Sequence, residues 1–119
     1  MNAAKNVLLL AGFALLSACA APGEGAKAKS GYAAAAPVIK ALEAYHQANA
    51  VYPASLDMLV PTFIAGDRLA ATMPDKKATP FAYRQVANGY ELSFSYTGTG
   101  TNQCVYRANT EGWKCYGAY

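Results

Sequence analysis

Apolar and polar positions along the chain change their period twice. Residues 7–21 carry no charge, and an apolar run extends from Val7 to Leu16. Residues 20–31 then show no period: small residues, glycine, proline and charges follow one another without pattern, which predicts a flexible tether. From there Ala35, Val38, Ile39, Leu42, Tyr45, His46 and Asn49 recur at steps of three and four, the period of one helical face. Lys40, Glu43 and Gln47 fall on the other face. The spacing predicts an amphipathic helix over 34–50, with Pro37 in its first turn, where a missing N–H costs little. Pro53 can open a short second helix and Pro61 stops it, because a residue before proline is pushed out of the α region. Leu56, Leu59 and Val60 share one side of that segment. Phe63 to Pro80 holds Gly66-Asp67, Met73-Pro74-Asp75 and Thr79-Pro80, which predicts a long ordered loop.

Beyond Pro80 the period becomes two. Asn88-Gly89 between alternating runs is a strong hairpin signal. A turn centred there pairs Gln85 with Leu92, Tyr83 with Phe94 and Phe81 with Tyr96, leaving Val86–Glu91, Arg84–Ser93 and Ala82–Ser95 on the opposite face. A slip of one residue would mix the aromatic and polar faces, and the aromatic face is the one to cover the long helix. Thr97 to Asn102 reads as a flexible link, since Gly98-x-Gly100 has too few glycines for a nucleotide-binding loop. A second hairpin, 103–107 and 112–116, places Cys104 across from Cys115 at a spacing close to what a disulfide needs. Such a staple stabilises a fold by roughly 2–3 kcal/mol on the chain-entropy model. The expected fold is α+β, an N-terminal amphipathic helix packed on a small antiparallel sheet with a disulfide-stapled C-terminal hairpin.

The chain has 119 residues, enough for one domain, and its charged share of 14% is low. A multidomain enzyme, a long coiled coil and a polytopic membrane protein are excluded on size and pattern. The net charge of +3 and scattered Lys and Arg argue against nucleic acid as a partner. One histidine, His46, and no serine in a nucleophile-elbow pattern leave little for catalysis. Asp57, Asp67 and Asp75 are loop carboxylates of the solvated kind. The expectation is a protein that is not an enzyme and takes no metal or cofactor; two cysteines and one histidine make a poor metal site.

At the N-terminus, Lys5 followed by the Val7–Leu16 run has the layout of a secretory signal, too short to span a membrane comfortably. It ends in Leu16-Ser17-Ala18-Cys19, which resembles the lipobox of bacterial lipoproteins. That resemblance implies cleavage before Cys19, a diacylglycerol thioether on Cys19 and an acylated new amino group. Ala20, in place of the Asp that often retains such proteins at the inner membrane, points to the outer membrane. Several acyl chains hold a protein firmly where one holds marginally. The expected organisation is a signal peptide over 1–18, a lipidated Cys19 and tether over 19–33, and a folded domain over 34–119. An exported domain meets an oxidising compartment, and lipid on Cys19 leaves Cys104 and Cys115 as one pair.

The element order carries a second resemblance. A long helix runs into Ala48-x-x-x-Tyr52-Pro53-x-x-Leu56-x-x-Leu59-Val60-Pro61, then a loop, Phe81-x-Tyr83, Gly89-Tyr90-Glu91-Leu92-Ser93-Phe94 and a closing Trp113-x-Cys115 hairpin. This is similar to the globular part of type IV pilins and type II secretion pseudopilins. Ser17 stands where a pilin stem carries its acid, and Thr97 to Gln103 lacks the acids by which the major pseudopilin binds calcium. The resemblance implies a pilin-like head with a lipid in place of its membrane stem. It implies a non-enzymatic envelope protein facing the periplasm, whose partners are the membrane and pseudopilins or other secretion or pilus components. Tyr52, Arg68, Tyr106, Trp113, Tyr116 and Tyr119 are its candidate contacts. The alternative is a periplasmic inhibitor or small-ligand-binding lipoprotein that uses the loop 62–80.

Overall fold

The structure, a computed structural model, describes residues 21–71, 81–98, 100–108, 110 and 112–117. One long helix, α1 (Ala26–Asn49), packs on one face of a four-stranded antiparallel sheet. The α+β class, the helix-on-sheet layering and the stapled hairpin are as the sequence pattern predicts. The expected signal peptide over 1–18, the expected lipid site Cys19 and the candidate contact Tyr119 lie outside the described residues.

The helix starts at residue 26, not 34, so it takes in half of the segment, 20–31, that reads as a tether. Ala26-Lys27-Ala28-Lys29 are good helix formers, but too weakly apolar to show a period. Close packing holds them. Ala28 is fully buried, and Gly31 lies so near the Phe94 ring that a Cβ would collide with it. The buried stripe then continues through Ala35, Val38, Ala41 and Leu42, with Ile39, Tyr45 and His46 half-buried beside it. The earlier start also moves Pro37 into the helix interior, where it removes one backbone hydrogen bond. At the C-terminal end Ala50 adopts a left-handed φ of 63° and its N–H bonds the His46 carbonyl at 2.8 Å.

A single 3₁₀ turn, Leu56–Leu59, follows and buries both leucines. Val60 is extended (φ −91°, ψ 139°) ahead of Pro61, as the proline requires. Part of the expected loop is instead a short helix, α2 (Gly66–Ala71), which with Ile64 before it sends Leu69 into the core. The remainder of that loop, 72–80, is outside the described residues.

The sheet is a meander in the order β1 (Ala82–Val86), β2 (Gly89–Gly98), β3 (Gly100–Arg107), β4 (Trp113–Gly117). The first hairpin turns on Ala87-Asn88, with Val86 opposite Gly89 and Tyr83 opposite Leu92. The expected register, Tyr83 with Phe94, is off by two residues. A shift of two leaves every side chain on its own face, so alternation could not choose between the registers. Charge does choose. The observed pairing sets Glu91 between Arg84 and Arg107 on the neighbouring strands, and it bonds both. Asn88 supplies the left-handed turn residue at φ 64°. Thr97 to Asn102 is likewise not a free link. β2 and β3 pair as far as Gly98 opposite Gly100, favoured by β-branched threonines, so the two hairpins fuse into one sheet. The second hairpin has the expected register, Cys104 opposite Cys115, and the two form a disulfide across a Cα separation of 4.1 Å.

The helix boundary generates paired substitutions of opposite sign. Gly31→Ala adds helix propensity yet destabilises by about 1–3 kcal/mol, because the methyl overpacks Phe94. Pro37→Ala restores an interior hydrogen bond and stabilises by about 1–3 kcal/mol. Were the helix to start at 34, Pro37→Ala would be neutral. Urea denaturation midpoints of the two variants check this.

Candidate functional site

Alternation places the side chains of Tyr83, Tyr90, Leu92, Phe94, Tyr96, Tyr106, Cys104, Trp113 and Cys115 on the sheet face beneath α1. Their rings join into one continuous network. His46 stacks on Tyr52 at 4.3 Å, and Tyr52 meets Tyr90 edge-on at 4.9 Å. Tyr90 stacks on Tyr83 and on Tyr106, which continues to Trp113 at 5.4 Å. Trp113 meets Tyr32 and Phe94, each at 5.2 Å. Centroid separations in this range suit edge-to-face and offset contacts, each adding about 0.5–1.5 kcal/mol beyond area burial.

Three of the candidate contact residues are therefore parts of this network and not free rings. Tyr52, Tyr106 and Trp113 are half-buried, whereas Arg68 on α2 is exposed and Tyr116 is 55% exposed. The five of these that lie among the described residues are not gathered into one patch: Tyr116 is on the opposite sheet face from Tyr106 and Trp113. His46, read from sequence as packed or half-exposed, is half-buried against Tyr52. Glu43, placed by its spacing on the solvent face, is half-buried and accepts the Tyr52 hydroxyl at 3.1 Å and 3.2 Å.

The network is electrostatically apolar. Burial, then the bond to Glu43, pushes the Tyr52 phenol up to about 12. Burial, with Tyr52 and Tyr45 nearby, does the same to Tyr83, also to about 12. Burial raises Tyr90 furthest. Its hydroxyl is buried without a hydrogen-bond partner, a polar group left unsatisfied among rings.

Two ends of the domain differ in chemistry. At the end where α1 begins, residues 21–25 fold over the disulfide. The Gly23 N–H donates to the Tyr96 hydroxyl at 2.8 Å, and the Gly23 carbonyl accepts the Tyr32 hydroxyl at 2.9 Å. The same Tyr32 oxygen lies 3.1 Å from Cys115 Sγ. Gly23 has φ +88°, and a Cβ there would stand 2.8 Å from that sulfur, so only glycine fits comfortably. Pro22 closes over Gly117, and Lys27 Nζ donates to the Thr97 carbonyl. Sequence reading missed this junction because its residues are small and aperiodic. The one available signal was the glycines at 23 and 31.

At the other end, a groove of about 310 Å³ lies between the C-terminus of α1 and the first hairpin. His46, Val51, Tyr52, Gln85, Val86 and Gly89 line it, and Gln85 Nε2 donates to the Tyr52 carbonyl at 2.8 Å. Val51 is 55% exposed at its rim. A smaller groove is lined by Ala54, Leu56, Asp57, Phe81 and Tyr83. Residues 62–71 line neither. The sheet face away from α1 is open and polar, carrying the Arg84–Glu91–Arg107 triplet, Gln103, Lys114 and Tyr116. The two arginines, Arg84 first, hold the Glu91 carboxyl below its usual range.

Among the described residues, no cluster of three or more His, Cys, Asp or Glu side chains could hold a metal, and no helix is long and apolar enough to cross a membrane. No protein-family model, curated protein or solved structure matches the chain.

The tyrosine environment sets an alkaline limit on stability. Tyr52 and Tyr83 titrate near 10 when unfolded and near 12 when folded, so above pH 10 the unfolded chain loses these protons first. Stability is complete below pH 10 and falls as pH rises toward 12. Tyrosinate absorbance against pH should show a late, cooperative component that coincides with loss of far-ultraviolet ellipticity. Separately, Tyr90→Phe removes the unsatisfied hydroxyl without removing the ring. It should be neutral or stabilise by about 1–2 kcal/mol, while Tyr90→Ala costs about 3–5 kcal/mol, both read from thermal unfolding.

Proposed function

We propose that the chain is a non-enzymatic, lipid-anchored protein of the bacterial envelope. In this reading Cys19 carries the lipid, the outer membrane is the anchoring bilayer and the domain faces the periplasm. The domain is a pilin-like head that serves as an interaction or structural component related to type II secretion or type IV pilus systems.

One observation carries the reading. The chain passes from the lipobox-like Leu16-Ser17-Ala18-Cys19 into a long helix. That helix lies lengthwise on an antiparallel meander closed by a stapled hairpin. A pilin head has this order of parts, with its stem helix where this chain has a candidate lipid. The aromatic side chains of the sheet lie largely inside the domain. What faces outward, a polar sheet face and a half-polar groove, suits protein contact better than a deep ligand cavity would.

The test begins with Cys19. Cys19→Ser should abolish the acyl mass and leave the signal over 1–18 uncleaved, both read from the intact mass, with the disulfide retained. Crosslinking in cells followed by mass spectrometry should then enrich pseudopilins, secretin or pilus subunits over an unrelated lipidated control. Recovery of peptidoglycan enzymes or secreted hydrolases instead would replace the secretion role with the inhibitor reading.

A further inference from the structure

Covalent geometry limits where Cys19 can lie. Consecutive Cα atoms are about 3.8 Å apart across a trans peptide, so two peptide steps hold the Cys19 Cα within about 7.6 Å of the Ala21 Cα. That bound is independent of the path through Ala20. Ala21 is itself part of the folded end. Its carbonyl accepts the Glu24 N–H at 2.9 Å, and its N–H donates to Glu24 Oε2 at 3.2 Å. The next residues are fixed to the sheet through Pro22 on Gly117 and through Gly23 on Tyr96, Tyr32 and the disulfide. A free tether over residues 20–31 would let a domain stand off by about 20 Å. Here no such length of slack exists between the candidate lipid and the sheet.

We propose that the bilayer headgroup layer is a direct binding partner of this domain. The contact is the end formed by Pro22, Lys27, Lys29, Thr97, Thr101 and Gly117. The inference deepens the anchored reading above and rests on it. All six of these residues except Pro22 are exposed, and the end carries Lys27 and Lys29 against the single carboxylate of Glu24, a small net positive charge. Lys27 and Lys29 face solvent from the first turn of α1, while Glu24 is turned back onto the Ala21 amide. Cations beside an anionic headgroup surface are attracted to it. The helix runs antiparallel to β2: Lys27 meets Thr97, Gly31 meets Phe94, and Tyr52 beyond the helix end meets Tyr90. The ten residues of β2 span about 33 Å. Seating one end on the membrane therefore holds the His46–Tyr52 groove at the opposite end, directed into the periplasm.

The experiment uses the full mature chain, exported and processed from its own signal, in phosphatidylethanolamine–phosphatidylglycerol vesicles that contain a headgroup-nitroxide lipid. A cysteine introduced by Thr101→Cys or Val51→Cys is the sole free thiol once Cys19 is acylated and Cys104 and Cys115 are paired. Each is labelled with a fluorophore. The label at 101 should be quenched several-fold more strongly than the label at 51. Equal, weak quenching at both positions, in protein whose mass carries the lipid, overturns the seating while leaving the anchor in place. A mature mass without acyl chains overturns the anchor and the seating together, so the two failures are told apart.

Discussion

The aromatic face of the meander and the small-residue stripe of α1 stabilise one another, and neither element is self-sufficient. A bare antiparallel sheet with one apolar face exposes that face to water. An isolated helix of mixed alanine and polar residues gains too little from its own hydrogen bonds to persist. Together they bury Val38, Leu42, Tyr90, Leu92 and Phe94, each contributing about 1.5–3 kcal/mol against exposure. Close approach makes this possible. Ala28 and Ala35 are fully buried, and Gly31 lets the helix backbone sit low over Phe94.

The same contact explains why the ring network includes a defect. Tyr90 is fully buried and touches Tyr52, Tyr83 and Tyr106, yet its hydroxyl has no partner. An unsatisfied buried donor costs about 1–3 kcal/mol. Three ring contacts and area burial offset it, so a tyrosine is tolerated where a phenylalanine would pack as well. Tyr52 avoids the same cost by reaching Glu43, which is why that carboxylate is drawn in from the solvent face. Both phenols are held protonated by an environment with little capacity to solvate a charge.

Function enters through the polarity of the fold along its long direction. One end is made of chain that arrives directly from Cys19 and is bonded to the sheet within a few residues. The other end carries the groove and the turn of the first hairpin. In the anchored reading proposed above, a domain built this way would stand as a short post, with its distal features held at a set height. In the envelope reading, that rigidity determines which partners can reach the groove and the open sheet face.

The sequence by itself determined the long helix, the two hairpins, the aromatic face and the Cys104–Cys115 pairing. Periods of 3.6 and 2, proline positions and turn residues act locally and leave a direct trace in residue order. It did not determine the first register, because a shift of two residues preserves alternation. The observed register is the one that sets Arg84 directly opposite Glu91. Nor did it determine where α1 begins, since Ala26 to Gly31 have no apolar period and are held by distant partners, Lys27 by Thr97 and Gly31 by Phe94. The end of the domain nearest Cys19 was thus decided by tertiary packing, which acts through shape and proximity that no local pattern encodes.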